Sequence, residues 1–246
     1  MLASVTHRSD FSIFDLDRTL SRAPTYSLFL LFAARRSAAW RLLLIPLLLP
    51  FAIAYAAKRI SRRRMKAVMH RLMLGPAMPH ATAQRIAAAF ADRLYESGLY
   101  NQAHERIAQE RLAGRRVMIA TAAPRLYAAP LAARLGVHDL VASGTTWRGD
   151  TLDAAIHGDN CYGQAKQRML AEFFAANGID RNNAHIRFFS DDASDLPCFE
   201  WADEPIAVNA SARLRAIAIA RKWTMLDWKD RVAPDRRPSH AYRLPA

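Results

Sequence analysis

Two rhythms alternate along most of this chain. Short β-branched or aromatic runs are each followed by a stretch whose apolar residues recur every three or four positions. The pattern predicts strands at 11–15, 116–121, 139–143, 185–190 and 205–209, and helices at 81–96, 101–113, 126–135, 163–177 and 211–222. Gly114, Gly136 and Gly178 close three of these periodic runs, as glycine does at helix C-termini. Pro124 suits a first helical turn and Ser211 a helix N-cap. Residues 145–156, punctuated by Gly149, read as a hairpin. Strands alternating with helices imply an α/β fold built on a parallel sheet with right-handed crossovers. Residues 1–10 read as a frayed start, and 231–246, with Pro234, Pro238 and Pro245, as a flexible tail.

The segment from 20 to 80 breaks this rhythm. Residues 28–34 are apolar, Arg35, Arg36 and Arg41 interrupt, and 42–57 then run for 16 residues without a charge. Lys58, Arg59, Arg62, Arg63, Arg64 and Lys66 close the segment. Charge sharpens the picture. No Asp or Glu occurs from Arg18 to Ala91, where 13 Lys and Arg lie, and this equals the whole formal net charge of +13. A membrane-crossing helix needs about 20 apolar residues, and this run is shorter and holds Pro46 and Pro50. Both of its flanks are basic, whereas a span leaves its cations on one side. A monotopic hairpin or interfacial helix pair, with a polybasic rim suited to an anionic leaflet, fits the pattern better than a span. A soluble helical cap with its leucines buried is the alternative. Nucleic acid is disfavoured as a partner, because the arginines flank aliphatic runs and lack interleaved aromatic platforms.

At 246 residues the chain can hold one large α/β domain, or a core with a small insert. Its two cysteines, Cys161 and Cys198, make no disulfide framework and lack metal-ligand spacing, which suits a reducing compartment. The first ten residues lack the apolar core of a signal peptide, so the expected location is cytoplasmic, peripheral or monotopic on the membrane.

Candidate chemistry sits at the ends of the apolar runs. Asp15 and Asp17 follow the first predicted strand two residues apart, so in extended backbone both carboxylates point the same way. That end of an open α/β sheet is where ligands bind. Two such charges are unfavourable together unless one is protonated or a cation lies between them, and a divalent metal resolves the conflict. Thr121 ends the strand at 116–121, Lys166 opens a helix, and Asp191, Asp192 and Asp195 follow the strand at 185–190. Cys161 reads as a small packing residue, and His157 and His185 as structural or solvated.

This series, Asp15, Asp17 and Thr19, then Thr121, then Lys166, then Ser190, Asp191, Asp192 and Asp195, resembles the four motifs of the haloacid dehalogenase-like hydrolase superfamily. Asn160, Gly163 and Lys166 further resemble the subfamily of phosphoserine phosphatases and phosphatidylglycerophosphate phosphatases. The resemblance implies a Rossmann-like core over 1–19 and 81–230 with an inserted all-helical cap over 20–80. It also implies Mg2+-dependent phosphomonoester hydrolysis. Asp15 would be the nucleophile, forming an aspartyl-phosphate, and Asp17 the acid and base. Thr19, Thr121, the backbone N–H of Ala122 and Lys166 would meet the phosphoryl oxygens. Magnesium would be held by Asp15, Asp191 and the backbone carbonyl of Asp17. Asp195 and Asp192 would stand behind the ligands, Asp195 steadying Lys166 or a metal-bound water and Asp192 an alternative ligand.

Five positions, in three of the motifs, depart from the family pattern. Arg18 stands where many relatives carry a small residue, and would narrow the site, add a phosphate contact or point to solvent. Ala122 and Ala123 replace glycines common in phosphoserine phosphatases, and Ser190 and Ser194 stand where Gly and Asn are frequent. A serine phosphate would call for a cap carboxylate to meet its ammonium group, and none lies between Asp17 and Asp92. The aliphatic, cationic cap suits an acyl-chain-bearing phosphate such as phosphatidylglycerophosphate. A soluble phosphoserine-type metabolite phosphatase and a non-catalytic membrane-docked protein of the same fold are the alternatives.

Overall fold

The computed structural model describes residues 9–153 and 160–228. Positions 1–8 of the expected start, 154–156 of the expected hairpin, His157 and the tail at 231–246 lie outside them. The chain opens with β1 (Ser9–Phe14) and a tight coil over Leu16–Leu20. It then runs through α1 (Thr25–Ser37), a 3-10 stretch over Ala39–Leu48, α2 (Leu49–Ala56) and α3 (Arg62–Leu74). Next come β2 (Met78–Pro79), α4 (His80–Arg93), α5 (Asn101–Leu112), β3 (Arg116–Pro124), α6 (Arg125–Arg134) and β4 (Asp139–Ser143). The short β5 (Trp147–Arg148) and β6 (Thr151–Leu152) precede α7 (Gln164–Ala176) and β7 (Ala184–Ser190). The last elements are α8 (Leu196–Trp201), β8 (Glu204–Val208), α9 (Ala212–Ala220) and β9 (Thr224–Leu226).

Six strands form one parallel sheet in the order β4-β3-β1-β7-β8-β9. The order departs from β1 in both directions, toward β3 and toward β7, so the carboxyl ends of these three strands border the switch point where such sheets bind ligands. Both faces of the sheet are covered. On β1, Phe11 and Ile13 join one core with Phe174, Ile186 and Phe188, while Phe14 joins the other and stacks on Phe189 with ring centroids 4.2 Å apart. This alternation is the period-2 pattern of a strand buried on both sides. The expected hairpin has β5 and β6 as its arms, and β2 pairs with β6 in a small antiparallel sheet. Strand β9 and helix α8 had no sequence signal: β9 is three largely exposed residues, and α8 a single turn and a half.

Between β1 and α5 the chain makes a helical excursion. It leaves and returns side by side, with Ser21 bridging Leu99, Arg22 N–H donating to Gly98 O (2.9 Å) and Tyr100 N–H to Leu20 O (3.0 Å). Phe29 of α1 and Phe90 of α4 both pack on Tyr127 of α6, at 4.8 and 5.2 Å between ring centroids, so the excursion shares a core with the sheet layer. The two apolar runs of the sequence part company here. Phe29, Leu30, Ala33 and Ala34 on α1 are buried, whereas Ala39–Leu48 and α2 bury no residue. Pro46 cannot donate a ladder hydrogen bond and lies within the 3-10 stretch, while Pro50 sits in the first turn of α2, where that loss is tolerated.

At the amino-terminal ends of the strands, a buried charge network ties α5 to the sheet. Glu110 Oε2 accepts from Ser12 Oγ (2.7 Å) and Arg187 Nη1 (3.0 Å), and Arg115 and Arg106 complete the cluster. Burial opposes the charge of Glu110, but the Ser12 and Arg187 hydrogen bonds and the Arg106 and Arg187 charges outweigh it and hold the carboxyl below its ordinary 4.5. A depressed pKa contributes stability that is present above that ordinary value and is lost as pH falls through the folded one. Glu110→Gln should therefore destabilise the protein by about 3 kcal/mol at pH 7. In urea titrations the gap between wild type and variant should narrow as pH is lowered below 4.5.

Candidate active site

Asp15 emerges from the central strand with its N–H still paired to Phe189 O (2.9 Å), and the backbone stays extended at both Asp15 and Asp17. Leu16 and Leu20 are buried beneath the coil and anchor it. Lys166, in the first turn of α7, reaches across to Asp15 and to the end of β7. Its Nζ donates to Asp15 Oδ1 (2.7 Å) and Asp195 Oδ2 (2.6 Å), and Asp195 Oδ2 also accepts from Ser190 Oγ (2.7 Å). All three charged residues are nearly inaccessible to solvent, so their charges interact in a low-dielectric setting. Burial disfavours the charge on Lys166, yet Asp15 and Asp195 hold its pKa well above the ordinary value. Burial also pushes Asp15 up to about 8, Lys166 opposing and Asp195 and Asp17 adding to the rise.

Asp15, Asp17, Arg18, Pro24, Ala122, Tyr162, Lys166, Asp191, Asp192, Ser194 and Asp195 together line a cavity of about 240 Å3. Asp15 and Asp191, from adjacent strands, thus face one space. Asp191 is pushed up to about 7 by burial, with Asp192 and Asp195 adding and Arg18 and Lys166 opposing. Asp17 turns toward α1: its Oδ1 accepts from Thr25 N–H (2.8 Å) and Thr25 Oγ1 (2.6 Å), and Thr25 Oγ1 also meets the Tyr127 hydroxyl at 2.9 Å. A carboxylate against a helix N-terminus is favoured by the free N–H groups there. Asp192 closes its own turn, accepting from Ser194 N–H at 2.9 Å. Burial opposes its charge, but this bond and those from Ser211 and Ala193 hold its carboxyl below the usual range.

Two of the residues expected at the phosphate lie one layer deeper. Thr19 is fully buried and directs Oγ1 at Asp15 Oδ2 (3.5 Å); Thr121 is also fully buried, its Oγ1 accepting from Ala123 N–H (3.0 Å). Neither lines the cavity, whereas Ala122 does. The Cys161 thiol is buried and pushed up to about 12 by burial, which suits packing.

Among the described residues no three His, Cys, Asp or Glu side chains are grouped to hold a metal. Asp15 and Asp191 nevertheless share the cavity, and both have raised pKa values because their charges are desolvated and repelled. Asp195 Oδ1 is buried with no hydrogen-bond partner among the described residues. Two carboxylates that burial and neighbouring acids push toward neutrality, together with an orphaned acceptor, fit magnesium, which takes few protein ligands and keeps several waters.

Lys66 of α3 was legible only as part of a basic run. It is buried, donating from Nζ to Ala122 O (2.9 Å) and Asn160 Oδ1 (3.2 Å), and so ties the excursion to the loop beside Thr121. The available signal was its spacing: Lys66, His70, Met73 and Leu74 fall on one face of α3 and are all buried. Ser143, which donates to Ala122 O and Asn160 Oδ1, had no signal of its own.

Residues 13–200 match the model of the haloacid dehalogenase-like hydrolases, and the chain belongs to that family. A probable phosphatase of Mycobacterium tuberculosis is 29% identical over 145 residues, covering 57% of this chain and 48% of the relative. The chain spans between 37% and 62% of the length of the curated relatives it matches. Among solved structures, a Bordetella pertussis protein of unknown function superposes with a TM-score of 0.76 at 24% identity, covering 89% of this chain and 99% of that one. A probable phosphoserine phosphatase of Vibrio cholerae does so with a TM-score of 0.64 at 13% identity, covering 91% and 62%. At these identities the structures show the shared α/β fold.

Lys166→Met should leave Asp15 and Asp195 buried without their cation and destabilise the protein by about 3–5 kcal/mol in urea unfolding at pH 7. Asp15→Asn should recover part of that loss, the two changes being less than additive because they share one interaction.

Proposed function

We propose that this protein is a magnesium-dependent phosphomonoester hydrolase that works through an aspartyl-phosphate on a phosphorylated lipid at a membrane surface. The observation that carries the reading is the convergence of Asp15, Lys166 and Asp191 on one cavity at the carboxyl ends of β1 and β7.

In the reaction, Asp15 Oδ attacks phosphorus as the ester P–O bond breaks, and Asp17 protonates the departing alkoxide oxygen. Asp17, then ionised, accepts a proton from the water that attacks the aspartyl-phosphate, releasing phosphate and restoring Asp15. Thr25 orients the Asp17 carboxyl through two hydrogen bonds. Lys166, fixed by Asp195, offsets charge developing on the phosphoryl oxygens, and the backbone of Ala122 lines the cavity where its N–H would meet one of them. Thr19 and Thr121 act from behind, on Asp15 and on the turn at Ala123. The Asp15 and Asp191 carboxylates and the backbone carbonyl of Asp17 would hold magnesium, which would supply neutralisation of phosphate charge.

The surface of the excursion supports the lipid. Trp40, Leu43, Leu47, Leu49 and Ile53 are all more than half exposed. Counted with the residues before it, the run extends over the 18 residues Ala39–Ala56, enough by length and composition alone to cross a membrane, and none of it is buried. Pro46 and Pro50 and the cations on both flanks favour an in-plane, monotopic seat on an anionic, cytoplasm-facing leaflet, each basic residue near it adding about 1 kcal/mol. The same acid-free stretch from Arg18 to Ala91 disfavours a phosphoserine ammonium group at the cap.

Phosphatidylglycerophosphate in vesicles should be hydrolysed faster than phosphoserine, and the reverse ranking would overturn the lipid assignment. Asp15→Asn should lower turnover of either by about 10^4-fold. The triple variant Trp40→Ser, Leu43→Ser, Ile53→Ser should fail to sediment with phosphatidylglycerol vesicles that retain the wild type, while its hydrolysis of para-nitrophenyl phosphate persists.

A further inference from the structure

Arg18 is the one lining residue of the cavity whose backbone is left-handed, at φ 60° and ψ −4°. That conformation suits glycine and is strained for an arginine. It is held on both sides. Asn209 Nδ2 donates to Arg18 O (3.1 Å) from the end of β8, and Arg18 N–H donates to Ser21 Oγ (3.3 Å). Asn209 is itself left-handed at φ 49°, and its Oδ1 accepts from Trp228 N–H (2.8 Å). The turn is therefore fixed by the backbone partners of residue 18 and makes no use of its side chain.

The side chain also has no evident structural task. It is exposed, and among the described residues no carboxylate lies within salt-bridge distance of its guanidinium. It nonetheless belongs to a residue that lines a cavity with five carboxylates, and its charge acts on one of them, Asp191; the other cation there, Lys166, is buried and already paired with Asp15 and Asp195. The cavity thus has two cations at two depths: one at the floor beside the nucleophile, one at the rim.

We infer that Arg18 is a specificity-determining residue that binds a second anionic group on the leaving-alcohol side of the substrate, while the scissile phosphate lies deeper against Lys166. A guanidinium takes up an anionic oxygen pair bidentately, as a phosphodiester or carboxylate presents it. This rests on the phosphomonoesterase reading and narrows its substrate to doubly anionic phosphates. In a lipid headgroup the second anion is the phosphodiester; in a soluble metabolite it is a carboxylate.

The test uses inhibition of para-nitrophenyl phosphate hydrolysis by three soluble compounds on the full chain with magnesium: glycerol 3-phosphate, glycerophosphoglycerol phosphate and 3-phosphoglycerate. The first has a terminal phosphate alone, the second adds a phosphodiester and the third a carboxylate. Wild type should bind the phosphodiester compound roughly tenfold more tightly than glycerol 3-phosphate, the scale of one charge-assisted contact. In Arg18→Gly, which the turn accommodates without strain, that ratio should fall to near one, and Arg18→Lys should restore part of it. Preference for the carboxylate compound, also lost in Arg18→Gly, would uphold the role of Arg18 and count against the lipid. An unchanged ratio in Arg18→Gly, no preference in wild type, or equal weakening of all three compounds would overturn the inference. The thermal midpoint of Arg18→Gly should be no lower than that of wild type, since the substitution removes a left-handed non-glycine residue.

Discussion

A buried lysine held between two buried carboxylates is the constraint on which the site depends. Lys166 joins three separate parts of the chain: the end of β1 through Asp15, the loop after β7 through Asp195, and the start of α7. None of the three charges is tolerable alone, because desolvation of an unpaired ion costs several kcal/mol. Together they fix α7 against the two strands that deliver the carboxylates. The triad leaves Asp15 with a second oxygen directed toward Thr19, while Asp15 and Asp191 line the same space. The electrostatic need to satisfy Lys166 and the chemical need to present Asp15 are met by the same geometry.

The helical excursion is coupled to this centre by polar contacts as well as by packing. At one point Asp17 binds the start of α1 through Thr25, and Tyr127 of α6 shares the Thr25 hydroxyl. At another, Lys66 of α3 reaches Ala122 O. Phe29, Phe90 and Tyr127 fill the space between these contacts. Movement of α1 would therefore be felt directly at the Asp17 carboxyl, and movement of α3 at the cavity wall beside Ala122. The exposed apolar run follows α1 in sequence and packs against both α1 and α3. A surface that engages that run acts on the same body that orients Asp17.

Arg18 and Asn209 show a different kind of constraint. Both are non-glycine residues in left-handed backbone, and they hold each other through a side chain to backbone hydrogen bond. A left-handed residue of this kind costs roughly 1–2 kcal/mol, and the surrounding sheet supports it. Local strain of this sort sits at the edge of the cavity, which Arg18 lines.

The order of strands and helices was written in the sequence, because periodicities of two and of three to four are local properties of side-chain placement. The runs at 116–121, 139–143 and 185–190 appear as β3, β4 and β7 within a few residues. The placement of carboxylates after β1 and β7 was equally legible, since strand ends are read from the same pattern. What the sequence could not supply was anything dependent on two distant segments meeting. Lys66 differs from its basic neighbours in sequence only by sharing a helix face with His70, Met73 and Leu74; its task appears once α3 is docked and Ala122 O lies 2.9 Å from its Nζ. Thr19 and Thr121 look like phosphate ligands by position, but packing alone puts them beneath the cavity wall. The two apolar runs, 28–34 and 42–57, read alike, and only the docking of α1 on Tyr127 and Phe90 decides that the first is core and the second surface. Composition sets which residues prefer to leave water; the tertiary structure, by limiting how many can pack around one sheet, decides which of them do.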